Sequence, residues 1–280
     1  MTSSLRAMAL IAWLGTAAPV LAQPANLPPP GGEKPIAFDV HEGTSMAVSA
    51  SPDGKWLAVD LQGSLWIIPA AGGKARRITD YFNDARQPVW APDGSHLLYF
   101  AYRDGGYDLW TIKPDGSDMR RLTQGAYDDR EPVYSPDGKT IAFSSDRSGN
   151  YDIWTMDVAT GAMKQISSNP REDRMPTWSP DGRRVAYAGA EGMMGGALYV
   201  TDLATGQESL LKKVDGKADA PSFGPGGALA YVVQDASGSH LFIDDKQVSG
   251  TENVFPFRVS WGTRGVLTNR ERLDRAAPEN

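Results

Sequence analysis

Short apolar runs of four to six residues, rich in β-branched and aromatic side chains, recur between clusters of Gly, Asp, Asn and Pro. One set precedes a turn: Pro88-Val89-Trp90, Pro132-Val133-Tyr134, Pro176-Thr177-Trp178 and Pro221-Ser222-Phe223. A second follows it: Leu97-Leu98-Tyr99-Phe100, Thr140-Ile141-Ala142-Phe143, Val185-Ala186-Tyr187 and Leu229-Ala230-Tyr231-Val232. A third reads Leu65-Trp66-Ile67, Leu109-Trp110-Thr111, Ile153-Trp154-Thr155 and Leu198-Tyr199-Val200, and a fourth closes on Arg77-Ile78-Thr79, Arg121-Leu122-Thr123 and Gln165-Ile166-Ser167. No window keeps a 3.6-residue period over ten residues, so an amphipathic helix is excluded. The pattern predicts strands, four to a repeat.

The turn between the first and second runs sets the period. Ser51-Pro52-Asp53-Gly54 returns as Ala91-Pro92-Asp93-Gly94, Ser135-Pro136-Asp137-Gly138 and Ser179-Pro180-Asp181-Gly182, at Asp-to-Asp intervals of 40, 44 and 44 residues. Gly224-Pro225-Gly226-Gly227 is a worn fifth copy, and Trp261-Gly262-Thr263-Arg264-Gly265 stands as a sixth. Proline presets φ at the first corner, Asp suits the second, and Gly takes the positive φ that closes the turn. These aspartates read as turn formers, not catalytic groups.

A four-stranded sheet buries little surface alone, and stacking such sheets around an axis gives them a shared core. The period therefore predicts an all-β, six-bladed β-propeller of four-stranded antiparallel blades, with an incomplete last blade. Trp90, Tyr134, Trp178 and Phe223 are expected to fill the space between blades. Ile36-Ala37-Phe38-Asp39-Val40 is expected to supply the outer strand of the last blade, closing the ring. Val259-Ser260-Trp261 and Val266-Leu267-Thr268 give that blade two strands, and residues 270–280 offer no third. The propeller is thus expected over 36–269, with a polar tail over 270–280.

The N-terminal residues add a compartment. Arg6, the apolar run Ala7 to Val20 and the small-residue step Val20-Leu21-Ala22 predict a signal peptide over 1–22, its apolar run being short for an uncleaved anchor. Residues 23–35, with Pro24, Pro28, Pro29 and Pro30, read as an extended linker. No membrane span is expected after cleavage. A balance of 28 Lys+Arg against 34 Asp+Glu, net −6, argues against nucleic acid as a partner. The absence of cysteine excludes a disulfide framework, a thiolate zinc site and a cysteine nucleophile. His41, His96 and His240 are scattered, and His41-Glu42 meets Ser45 where a zinc-binding helix motif needs a second His. No metal, no cofactor and no complete catalytic site are expected.

The pattern P-x-aromatic-[S/A]-P-D-G, followed by I-A-F-x-S-D-R-x-G and I-W, is most complete over residues 132–154. It resembles the propeller repeats of the TolB family, and the resemblance covers roughly residues 36–268. It implies the fold more than the role, because one propeller hosts many functions. The α/β domain that precedes the propeller in TolB is not expected before Asp53, and no G-x-S-x-G elbow indicates a serine hydrolase. Glu42-Gly43-Thr44-Ser45-Met46 and Phe255-Pro256-Phe257-Arg258 are most similar to the propeller preceding the metal-dependent amidohydrolase domain of exported bacterial proteins. The resemblance implies a periplasmic binding or scaffolding module for a protein, peptide or small polar ligand. The alternative is the non-catalytic N-terminal propeller of a truncated amidohydrolase. A free-standing lyase or hydrolase would need a channel metal.

The candidate chemistry is a polar loop before each inner strand: Asp84-Ala85-Arg86-Gln87-Pro88, Asp128-Asp129-Arg130-Glu131-Pro132 and Glu172-Asp173-Arg174-Met175-Pro176. Arg86, Arg130 and Arg174, with Asp84, Asp129 and Asp173, are expected at equivalent points of a channel mouth. They either hold an anionic or peptide ligand or pair among themselves as construction. A further polar turn, Asp146-Arg147-Ser148-Gly149-Asn150, carries too few carboxylates for a calcium site.

Overall fold

The computed structural model describes residues 46–80, 83–103, 105–191, 195–248, 253–254, 258–262, 265–267 and 270–271. The expected signal peptide, linker and closing strand at 36–40 lie outside the described residues, as does 272–280. The chain divides into two compact units, Met1–Arg130 with Trp261–Leu267 and Glu131–Ser260 with Thr268–Asn280.

The repeat folds as its pattern predicts. The first blade is β1 Val48–Ala50, β2 Trp56–Leu61, β3 Ser64–Pro69 and β4 Arg76–Arg77. The second is β5 Ala85–Trp90, β6 Leu97–Arg103, β7 Gly106–Ile112 and β8 Arg120–Arg121. The third is β9 Asp129–Tyr134, β10 Thr140–Ser145, β11 Asp152–Asp157 and β12 Met163–Gln165. The fourth is β13 Glu172–Trp178, β14 Arg184–Glu191, β15 Gly195–Asp202 and β16 Glu208–Lys213. The fifth is β17 Lys217–Phe223, β18 Leu229–Asp235, β19 Gly238–Ile243 and β20 Lys246–Gln247. In every blade the strands follow sequence order across the sheet. This is an all-β propeller fold of four-stranded antiparallel blades.

The blade count differs from the expectation. Five complete four-stranded blades, not six, stand among the described residues. The remaining strands form two pairs, β21 Asn253–Val254 with β24 Arg270–Glu271, and β22 Ser260–Gly262 with β23 Gly265–Leu267. These pairs fall where the sixth repeat's sequence is worn. Arg270–Glu271 form a strand in a stretch expected to lack one.

The Pro-Asp-Gly turns are built alike. The N–H of Gly54, Gly94 and Gly138 donates back three residues to Ser51, Ala91 and Ser135 at 2.8, 2.8 and 2.9 Å. Each glycine holds φ between 68° and 72°, a region other residues enter only at a cost. Ser51 and Ser135 then donate their hydroxyls to Asp53 and Asp137 at 2.6 Å.

Burial follows the strands inward. Trp90 and Trp178 are buried at blade boundaries as expected, their indoles donating to Ser49 O at 3.1 Å and Val133 O at 3.3 Å. Tyr134 and Phe223, expected to match them, are only half-buried. The deepest rings sit instead on second strands: Tyr99, Phe143, Tyr187 and Tyr231 are each 2% exposed or less. A second strand has neighbours on both edges and sheets on both faces, whereas Tyr134 and Phe223 end their strands at the turn.

Candidate ligand-binding surface

The inner strands of the second, fourth and fifth blades break their ladders at the same place. The registers of β5, β13 and β17 shift between Arg86 and Val89, Arg174 and Thr177, and Asp219 and Ser222. Proline has no N–H to give the ladder, and Pro88, Pro176 and Pro221 lie within these bulges. The residue before each proline takes a left-handed conformation, with φ of 50° at Gln87, 56° at Glu131, 56° at Met175 and 48° at Ala220. Non-glycine residues in this region are strained and persist only where surroundings hold them.

The surroundings hold them through their N–H groups. Gln87 N–H donates to Asp60 Oδ2 at 2.7 Å, and Asp60 Oδ1 accepts the N–H of Ala47. Met175 N–H donates to Glu131 Oε2 at 2.8 Å, an oxygen that also accepts the Ser144 hydroxyl at 2.8 Å. Ala220 N–H meets only the soft Met175 Sδ, at 3.3 Å. Burial pushes the Asp60 carboxyl up to about 6, against the opposing pull of its two N–H donors and the Arg86 charge. Burial likewise raises Asp173 and Asp219 above the usual carboxylate range.

Just before the bulges lie the predicted site residues. In the first unit Arg86 pairs with Asp84 at 3.0 Å, and Tyr107 Oη donates to the other oxygen of Asp84 at 3.4 Å. Arg130 pairs with Asp128 at 2.6 Å and lies 4.1 Å above the Tyr107 ring, and the Tyr107 backbone N–H donates to Asp128 Oδ1 at 3.0 Å. Two arginines, two aspartates and one tyrosine thus form a connected cluster. In the second unit Arg174 pairs with Glu172 at 3.0 Å and lies 3.4 Å above Tyr151.

Asp84, Arg86, Arg130 and Arg174 therefore stand in polar clusters, but Asp129 and Asp173 do not join them. Adjacent strand residues point to opposite faces, so the carboxylate beside each arginine is the one two positions back, Asp128 or Glu172. Asp129 and Asp173 turn inward and are buried. Asp173 accepts Asn169 Nδ2 at 2.7 Å and pairs with Arg171. Arg171 stacks 3.7 Å from the Tyr199 ring and bonds Glu208 at 2.9 Å.

The tyrosines were missed, though Tyr107 and Tyr151 sit 44 residues apart and so carried a signal. Gly63 holds the matching position in the first blade. Arg86 accordingly has no ring at its own repeat position and keeps 44% side-chain exposure, against 30% and 29% for Arg130 and Arg174.

The remaining polar candidates are occupied locally. His96 lies 3.6 Å from Asp118, and His240 2.9 Å from Ser237. Ser148 donates to Asp152 at 2.6 Å, and Asn150 to Asn169 O at 3.1 Å. Among the described residues no group of three or more His, Asp or Glu side chains is gathered to hold a metal, and no helix is long and apolar enough to cross a membrane.

Strands, turns and strained inner loops together define a repeat-built propeller with polar side chains at the entry to each inner strand. Residues 84–192 match the family described as the TolB beta propeller domain. Over those residues the repeats are similar to TolB propeller repeats. A search of curated proteins returned no match. Among solved structures, a putative TolB from Agrobacterium tumefaciens is 26% identical, with 67% of this chain and 73% of that one covered and a TM-score of 0.57. TolB from Acinetobacter baumannii is 21% identical with a TM-score of 0.63, over 86% of this chain and 58% of that one. An oligogalacturonate lyase from Vibrio parahaemolyticus is 17% identical with a TM-score of 0.56, over 72% and 65% of the two chains. The last two share the fold, and this chain spans little more than half the length of the Acinetobacter protein.

Proposed function

We propose that the protein is an exported, periplasmic binding or scaffolding propeller whose arginine–tyrosine–carboxylate loops hold a protein, peptide or small polar ligand. The observation that carries this reading is the most open member of the set. Arg86 is held by a single carboxylate, beside a tyrosine hydroxyl, and leaves guanidinium edges accessible for charge-assisted bonds. Arginine and tyrosine are among the side chains that concentrate binding energy at protein interfaces. The predicted leader supports export, and β22 with β23 supports a reduced sixth repeat.

Fluorescent peptide pools sorted by net charge, titrated by anisotropy, test the reading. A retained acidic pool, lost in Arg86→Ala at unchanged melting temperature, is the expected result. Binding undiminished in both Arg86→Ala and the double variant Arg130→Ala/Arg174→Ala would overturn it. Unfolding of the double variant would assign those two arginines to construction.

A further inference from the structure

The repeat allows one cleft between neighbouring blades to be compared with another. In the first unit Arg76, on β4, reaches across to the β7–β8 turn of the next blade. Its Nη1 donates to Asp115 O at 2.9 Å and its Nη2 to Pro114 O. Behind it Ile78 is sealed, 1% exposed, and Gly116 packs so close that a Cβ there would stand 3.3 Å from the Ile78 carbonyl oxygen. One guanidinium spans this cleft and closes it.

The strand registers identify the matching positions in the second unit. Arg76 faces Ile67 across the β3–β4 ladder as Lys164 faces Thr155 across β11–β12, and Ile67 faces Ala58 as Thr155 faces Ala142. Thr140, three residues past Asp137, stands where Trp56 follows Asp53. A tryptophan, an isoleucine and an arginine are thus replaced by two threonines and a lysine. Lys164 spans nothing: its backbone oxygen accepts from Thr155 Oγ1, and among the described residues its ammonium makes no hydrogen bond or ion pair. A cavity of about 330 Å³ remains between the third and fourth blades, with Ile166, Trp178 and Leu203 as apolar walls and Asp137 and Asp181 at its rim. A second cavity of about 270 Å³ adjoins it along Lys164, Ile166 and Leu203.

We propose that this cleft binds an arginine side chain carried on an extended segment of a partner protein. The segment supplies in trans the group that Arg76 supplies within the chain. Its aliphatic stem lies on Trp178 and Ile166. Its guanidinium faces the β15–β16 turn, where Leu203 and Ala204 occupy the places of Pro114 and Asp115. Among the lining residues two carboxylates face one cation: Asp137 and Asp181 are held ionised by hydrogen bonds from Ser135 and Ser179 within their own turns, against Lys164, while Lys139, Arg183 and Arg184 act on the same aspartates from outside the lining. The two adjoining cavities provide length for an extended backbone rather than a lone side chain. The site is separate from the arginine–tyrosine loops and does not rest on the function proposed for them.

The test uses the whole protein, 15N-labelled, with the blocked pentapeptide acetyl-GARAG-amide and its citrulline counterpart as probes. The Trp178 indole, whose Nε1 donates to Val133 O at the cleft, is the reporter. The arginine peptide is expected to shift that resonance saturably, and the uncharged citrulline peptide to bind at least about tenfold more weakly. Lys164→Arg supplies the plug from within, and Thr155→Ile restores the wall seen in the first blade. Each is expected to abolish the shift while keeping or raising the melting temperature. Absence of a saturable shift, an equal response to citrulline, or undiminished binding in the folded variants would overturn the proposal. If one variant fails to fold, the other and the citrulline comparison decide it.

Discussion

The backbone N–H of Gln87 donates across 2.7 Å to the carboxyl of Asp60, so a strained residue of one blade hangs on a buried acid of the blade before it. Asp60 ordinarily titrates near 3.8 and is raised to about 6, so the folded chain holds its proton more tightly than the unfolded one. A raised acid stabilises the fold fully below its unfolded value and loses that contribution as pH climbs through its folded value. Between pH 3.8 and about 6, the Asp60 contribution to stability should therefore fall by roughly 3 kcal/mol. Urea midpoints measured across this range for the wild type and Asp60→Asn should differ in slope, with the wild type falling more steeply. Asp173 and Asp219 shift in the same direction and remain in both proteins, so parallel slopes would refute the assignment to Asp60.

Second-strand aromatics carry more of the fold than those ending the inner strands. Phe143→Ala should cost about 3–5 kcal/mol, as for a fully buried ring. Phe223→Ala, at a half-buried position, should cost clearly less. Chemical denaturation of both variants checks the ranking, and equal losses would contradict it.

Gly189 is fixed by a close approach. A Cβ there would stand 2.7 Å from the Tyr199 ring and 3.0 Å from Arg171 Nε. Gly189→Ala should destabilise by about 1–3 kcal/mol through overpacking, loosening the Arg171 stack. Pairing it with Tyr199→Leu should recover part of the loss, which thermal melts will show.

Arg174 and Arg86 should respond differently to truncation, although the sequence presents them as equivalents. Arg174→Ala removes a stacked guanidinium and should cost about 1 kcal/mol. Arg86→Ala, at the more open position, should stay within about 0.5 kcal/mol of the wild type. Melting curves of the two single variants test the contrast.

Much of the architecture was legible because its signals are local. Asp53 and Gly54 announce a turn by their own conformational preferences, and the period between copies multiplies that signal. The site was less legible because it depends on which face a side chain takes. Asp128 and Asp129 are neighbours in the chain, but the strand's alternation sends one toward Arg130 and buries the other. The tyrosine under each stacked arginine comes from a different strand, some twenty residues away. The strain at Gln87 and Met175 has no composition signature beyond the proline that follows. Its acceptor changes from Asp60 on a second strand to Glu131 on an inner strand, so no single motif records it. The open cleft beside Lys164 was visible only after the registers had aligned it with Arg76.

The left-handed residue before each inner proline also bears on how such a chain can grow or shrink. Its peptide turns away from its own ladder to take an acceptor next door, so Asp60 without Gln87 loses the donor to its Oδ2, and Met175 without Glu131 keeps only the longer contact to Ser144 Oγ at 3.2 Å. Excising or inserting a repeat between such partners would break a shared joint and not merely change a count. Duplication or grafting of these modules should succeed when the seam lies outside the donor–acceptor couples and fail when it cuts through one.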